Sequence, residues 1–254
     1  MPIPPDDAIA IERLRADYHA LVRRLEASDA QFRRLGRSVL RVQEDERRRI
    51  ARELHDGIGQ NLTALKHQLS LLAASTRDPA LAAGLDSGVD LCARTLADTR
   101  ELSRLLRPQV LDDLGLDAAL RWLARTVGEP AGVAVAVAID EGLPPLDDEA
   151  QTLFFRVAQE ALTNVIRHAS AGTASIALAA RGGHVVLTVV DDGRGFDVGA
   201  ASAAGSAGAS AGLGGMRDRV ALHGGSLHVD SSATGTCVQA AVPVVAAPRT
   251  GATA

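Results

Sequence analysis

The chain has 254 residues, 46% apolar, 23% charged and only 2% aromatic, with a formal net charge of −4. That is the composition of a folded globular protein with room for one or two domains, and it excludes an intrinsically disordered chain. The slight negative charge excludes a global attraction to nucleic acid or to anionic membranes. No apolar run reaches the roughly 20 residues of a membrane span, and the N-terminus lacks a charged-then-apolar signal pattern, so a cytoplasmic location is expected. Cys92 and Cys237 lie too far apart for metal-ligand spacing and read as two small, buried apolar residues.

In chain order, Leu14, Tyr18, Leu21, Leu25, Phe32, Leu35, Val39 and Val42 recur in steps of four and three, the seam of a coiled coil. The period continues through Ile50, Leu54, Ile58, Leu62, Leu65, Leu69 and Leu72, predicting one helix, or two in register, over about residues 8–75. Thr76–Pro79 reads as a turn, and a second amphipathic helix follows to Leu106, ended by Arg107–Pro108. A hairpin with so continuous an apolar face is expected to dimerise into a four-helix bundle.

Beyond Leu116 the pattern changes. A short helix is expected over 117–127, a strand over 133–139 and a helix over 147–168. Two strands, 173–180 and 184–191, flank the turn Arg181–Gly182–Gly183. Residues 199–212 are a Gly/Ala/Ser loop, 213–223 a helix, and 226–232 with 236–243 a last hairpin. This order predicts an α/β sandwich, with helices on one face of a mixed sheet.

Five places carry chemistry. His55 follows an apolar position on the long helix, within solvent reach, and Asp56 is beside it; a neutral imidazole next to a carboxylate is a candidate phosphate acceptor. Asp56 and Gln60 stand four apart, roughly 400° of rotation, so an acid and an amide project from nearly one face. Glu160, Asn164, Arg167 and His168 share a helical face whose acid, amide and cations suit Mg²⁺ and phosphates, although from the residues alone a solvated polar face is the plainer reading. Asp191, at a strand end, is placed to accept from an amine, and Gly193 and Gly195 allow close backbone approach, although Asp-Gly turns are common. Gly212–Leu213–Gly214–Gly215–Met216 opens a helix with free N–H groups, and Gly235–Thr236 heads the last strand.

Together these segments resemble the N box, the two G boxes and the terminal Gly-Thr of the GHKL ATP-binding fold. The run around His55 resembles the H box of sensor histidine kinases, in the nitrate-sensor and desaturase-sensor branch, where Asp follows the His and Gln lies four beyond the Asp. The likeness covers about residues 39–244. It implies an α+β multidomain protein: a coiled-coil signalling segment (1–40), a dimerisation and histidine phosphotransfer hairpin (41–110), a GHKL-type ATP-binding domain (111–246) and a tail (247–254).

The resemblance further implies a two-component histidine kinase that transfers the γ-phosphoryl group of ATP to His55, with Asp56 as base. The phosphoryl group then passes to an aspartate of a response regulator, whose output in this branch is usually a helix-turn-helix, and Asp56 with Gln60 supports phosphatase action on that regulator. Asn164 would ligate Mg²⁺, with Glu160 acting through water. Arg167, which stands where the family usually has Lys, and His168 would meet phosphates, and Asp191 would read adenine. Gly193, Gly195, Gly212, Leu213, Gly214, Gly215, Met216 and Thr236 would complete the nucleotide site, while Ser210 occupies a position where a further glycine is common. The partners implied are a second copy of the chain, the regulator and a possible separate sensory protein, with no direct nucleic-acid contact. A catalytically weak dimeric scaffold or phosphatase of the same fold is the competing reading.

Overall fold

In the computed structural model, which describes residues 5–106, 109–200 and 211–243, helix α1 (Pro5–Glu53) passes through a π turn (Leu54–Gly59) into α2 (Gln60–Ser75). The expected helix over 8–75 is thus a single rod, unbroken at the expected 40/41 domain boundary. Charged helix formers dominate it, and ion pairs one turn apart, Arg33–Asp29 at 2.9 Å and Arg49–Glu53 at 2.6 Å, line its exposed surface. The π turn falls where Gly57 and Gly59 weaken α-helical propensity.

Asp78 caps α3 (Pro79–Leu106), accepting from the Ala80 N–H at 2.9 Å, and Pro79 occupies the first helical position. α3 folds back on α2, burying Cys92 and Leu96. Outside this seam the single chain leaves Tyr18, Leu25, Phe32, Val39, Leu65 and Leu81 exposed, an uncovered apolar face.

The second half departs from expectation at its start. Helix α4 (Gln109–Leu123) begins before Asp117, not at it, and Gly115, with φ 78°, breaks it in two. Leu111 and Leu116 on either side of that break are both buried, so packing secures residues whose short period did not reveal a helix. After a π turn (Ala124–Gly128) and the short α5 (Glu129–Ala131) come β1 (Ala134–Ile139), α6 (Asp148–Asn164) with a π turn (Val165–Ala169), β2 (Thr173–Arg181) and β3 (His184–Asp191). Then follow α7 (Ala211–Leu222), β4 (Ser226–Ser232) and β5 (Gly235–Pro243).

The sheet order is β1-β2-β3-β5-β4, with β1 and β2 parallel and every other pair antiparallel. A parallel pair needs a crossover, which α6 provides. Alternate strand residues (Ile176, Leu178, Val185, Leu187, Val189) pack on Leu120, Leu123, Phe154, Phe155, Leu162 and Val220 of one helical layer. Cys237 on β5 is half-buried, a departure from the expectation for both cysteines, and desolvation followed by the charge of Asp230 raises its thiol pKa.

Arg107–Pro108, Ser210 with most of the Gly/Ala/Ser loop, and the tail at 247–254 lie outside the described residues. Among the described residues no helix is long and apolar enough to cross a membrane.

Candidate active site

A cleft of 760 Å³ opens between the C-terminal half of α6, the ends of β3 and β5, the turn after β3 and the start of α7. Asp147 caps α6 through the Ala150 N–H at 2.8 Å, setting the helix so that Glu160 and Asn164, one turn apart, face the cleft. Arg167 and His168 follow in the π turn, both exposed and both on the cleft wall. The acid, the amide and the two basic groups expected to cooperate therefore do share one surface.

The two neighbouring aspartates divide their work. Asp191, 8% exposed, lines the cleft and spends one oxygen on the Gly193 N–H at 2.9 Å, leaving the other for an external donor. Asp192 turns away. It accepts from Gly172 N–H and Thr173 N–H at 2.9 Å and from Thr173 Oγ1 at 2.7 Å, fastening the start of β2. The Thr173 hydrogen bonds hold the Asp192 carboxyl below its ordinary pKa.

The glycines need correction. A Cβ on Gly193 would meet the Ala169 carbonyl oxygen at 2.4 Å, and one on Gly195 the Ser232 oxygen at 2.0 Å. What requires a bare backbone at these two positions is neighbouring protein backbone, where the sequence suggested room for a ligand. Gly195 still lines the cleft, as do Gly212, Leu213 and Thr236. At Gly214 and Gly215 no atom of the described residues lies within 4 Å of the place a Cβ would occupy, so those residues do not demand glycine there. Met216, expected at the nucleotide, is 3% exposed and packs into the core, because it falls on the inner face of α7.

Sequence reasoning missed Arg194, Phe196 and Ser231. Arg194 stitches the turn to the end of α6, its backbone N–H donating to Ala169 O at 2.7 Å and its Nε to His168 O at 2.9 Å. Phe196 lines the cleft, and Ser231 Oγ accepts from its N–H at 3.0 Å while pairing with Thr236 Oγ1 at 2.9 Å. The only available signal was position: Arg194 and Phe196 flank Gly195 in the Asp-Gly motif.

The cleft's oxygen donors suit a hard cation that retains waters and is shared with a phosphate chain, since Glu160 offers a carboxylate and Asn164 an amide oxygen. Arg167, His168 and Arg194 put basic groups on the same wall.

His55 lies elsewhere, exposed on the π turn. With Gln60, Thr63, His67, Thr99 and Arg100 it lines a groove of 440 Å³ between the rod and α3. His55 in the π turn and Gln60 just after it thus line one groove. Asp56 is exposed and outside that groove. Ser103 Oγ donates to Ala51 O at 2.9 Å, tying α3 to the rod just before the histidine. Among the described residues, groove and cleft share none.

Two family models match in order: "Histidine kinase" over residues 46–111, and "Histidine kinase-, DNA gyrase B-, and HSP90-like ATPase" over 149–246. The sensor histidine kinase MctS of Rhizobium johnstonii is 39% identical over 220 residues, 85% of this chain and 47% of that protein. The oxygen sensor histidine kinase NreB of Staphylococcus carnosus is 34% identical over 213 residues, 84% of this chain and 60% of that protein. The chain thus spans about half the length of these curated relatives. Among solved structures, the histidine kinase domain of the Erythrobacter litoralis EL346 blue-light activated kinase aligns with a TM-score of 0.47 at 21% identity, covering 72% of this chain and 94% of that one.

Proposed function

The chain belongs to the sensor histidine kinases, and from that premise we propose that it autophosphorylates His55 from ATP and passes the phosphoryl group to an aspartate of a response regulator. The observation that carries this reading is the pairing of an exposed imidazole on the rod with a separate acid-and-amide cleft in the same chain. In transfer, the bond from the γ-phosphorus to its bridging oxygen breaks, and a bond from that phosphorus to the accepting imidazole nitrogen forms. ADP departs with the electron pair, and Asp56 takes the ring proton.

Asn164 would hold Mg²⁺ with Glu160 in support; bound there, the ion would supply neutralisation of the phosphate charge. Arg167 and His168 steady the phosphate oxygens, and Asp191 accepts from the adenine amine with its unspent oxygen. Gly212 and Leu213 close on the phosphates beside Thr236, with Gly214 and Gly215 behind them. Positioning and charge do most of the catalysis, since phosphoryl transfer asks for little covalent help.

Gln60, which lines the groove together with His55, orients water for hydrolysis of the regulator's phosphoaspartate. The working unit is a homodimer that covers the apolar face of the rod and hairpin. The regulator carries a receiver domain with a helix-turn-helix output, and a separate sensory protein acts on the rod. All of this takes place in the cytoplasm.

The test is incubation with γ-labelled ATP and Mg²⁺. An acid-labile, base-stable label that His55→Gln abolishes supports the proposal; undiminished labelling of that variant removes His55 as acceptor.

A further inference from the structure

Three chain segments meet at one hydroxyl behind the cleft wall. Ser231, on β4, stands opposite Thr236 at the head of β5, and the two hydroxyl oxygens are 2.9 Å apart. The same Ser231 oxygen accepts from the Phe196 N–H at 3.0 Å, so it also holds the turn that follows β3. The turn comes this close because Gly195 has no side chain: a Cβ there would sit 2.6 Å from Ser231 Oγ. Phe196 and Thr236 line the cleft, and Ser231 supports both from outside its lining.

Thr236 is also the neighbour of Asp191. The last β3–β5 pairs are Val189 with Val238 and Val190 with Cys237, so one further step sets Asp191 beside Thr236, on the inner face with Val189 and Val238. Asp191, Thr236, Val189 and Val238 all line the cleft. An acceptor and a hydroxyl therefore stand side by side, and what the pair can read depends on where the hydroxyl proton points.

A hydroxyl has one proton and two lone pairs. Ser231 gives one lone pair to the Phe196 N–H, and the contact with Thr236 consumes one of the two hydroxyl protons. Were Thr236 the donor, its proton would be spent away from the cleft, and the Ser231 proton would lack an acceptor among the described residues. With Ser231 as donor its proton is used, and Thr236 keeps its own for the cleft. Accepting from the amide also polarises the Ser231 hydroxyl toward donation, since hydrogen bonds in a chain strengthen one another. We infer that Ser231 is a positioning residue that sets the polarity of base recognition: the relay from Phe196 N–H through Ser231 O–H to Thr236 O–H ends in a donor beside the unspent oxygen of Asp191. That edge fits a base carrying an amine next to a bare ring nitrogen, as adenine does, met by Thr236 directly or through one water. Guanine presents the reverse, an oxygen next to a ring N–H, and would set acceptor against acceptor and donor against donor. This rests on the adenine reading of Asp191 above and adds to it the residue that gives the site its selectivity.

The test measures binding to the full chain of ADP, of 1-deaza-ADP, which lacks the ring nitrogen, of purine riboside diphosphate, which lacks the amine, and of GDP. Wild type is expected to bind ADP at least about fivefold more tightly than 1-deaza-ADP, the worth of one hydrogen bond. Ser231→Ala should bring that ratio within about twofold and narrow the preference for ADP over GDP. The ratio of ADP to purine riboside diphosphate, which Asp191 sets, should stay as in wild type. Ser231→Cys, which fills the same space with a weaker donor, should behave alike and serves if the alanine variant does not fold. A 1-deaza-ADP ratio kept in these variants overturns the inference, as does loss of both ratios together, which marks a merely structural prop. Wild type that fails to bind ADP, or binds purine riboside diphosphate equally well, overturns the adenine reading itself. Wild type that reads the amine but ignores the ring nitrogen overturns the role of Ser231 alone.

Discussion

Gly212 and Glu160 meet across the cleft: a Cβ on Gly212 would sit 2.3 Å from Glu160 Oε1 and 3.7 Å from Asn164 Nδ2. The obstructing atom is the tip of a flexible side chain, so Gly212→Ala is expected to fold normally while pushing the Glu160 carboxylate off its position. Mg²⁺-dependent affinity for ATP should fall about tenfold, about 1.4 kcal/mol. A titration with a fluorescent ATP analogue, with and without Mg²⁺, reads this directly; a loss of equal size in both conditions contradicts it.

Gly235 presents the opposite case. Its φ of 133° and the Asp191 carbonyl oxygen 2.0 Å from its Cβ position leave no flexible group to move. Gly235→Ala should cost about 2–4 kcal/mol of stability through backbone strain. Gly214→Ala, on α7 and clear of every described residue, should be neutral or stabilising by up to about 1 kcal/mol. Denaturant unfolding of the two variants side by side measures both.

Asp192 gives a pH dependence with a definite sign. Its carboxyl is held below the ordinary 3.8 by the Thr173 hydrogen bonds. Its contribution to stability is therefore present above that ordinary value and is lost as pH falls through the lower, folded-state value. Thermal melts should show wild type above Asp192→Asn at neutral pH, with the gap closing as the solution is acidified below the ordinary value. A constant gap down the titration would show that the ionised form is not what matters.

The two candidate sites separate by mutation. Asn164→Ala is expected to block labelling by at least about a hundredfold while leaving dephosphorylation of the phosphorylated regulator in place. Gln60→Ala should keep labelling within about threefold and slow that dephosphorylation. Phospholabelling and regulator dephosphorylation assays on both variants check the division, and parallel losses in either variant count against it.

Periodicity and motif order made much of the molecule legible in advance. The seam from Tyr18 to Leu72, the turn at Asp78 and the strand alternation through Ile176 and Leu187 are local patterns, and each appears as an element near its expected bounds. The polar stripe Glu160–Asn164–Arg167 and the Asp191 strand end were equally readable, since spacing on one helix or at one strand end places them. The early start of α4 was not readable, because its residues are secured by burial of Leu111 and not by an extended period.

The sequence by itself determined the helical first half, the mixed-sheet second half and the polar stripe that lines the cleft, because helical and strand periods are written over neighbouring residues. Only the tertiary structure decided why Gly193, Gly195 and Gly235 are bare, which groups complete the cleft, and where the ATP-binding layer rests. Arg156 shows the reason. On its own helix it is one more polar residue, and it becomes a buried, fully bonded cation only when Glu44, more than a hundred residues away, is folded against it.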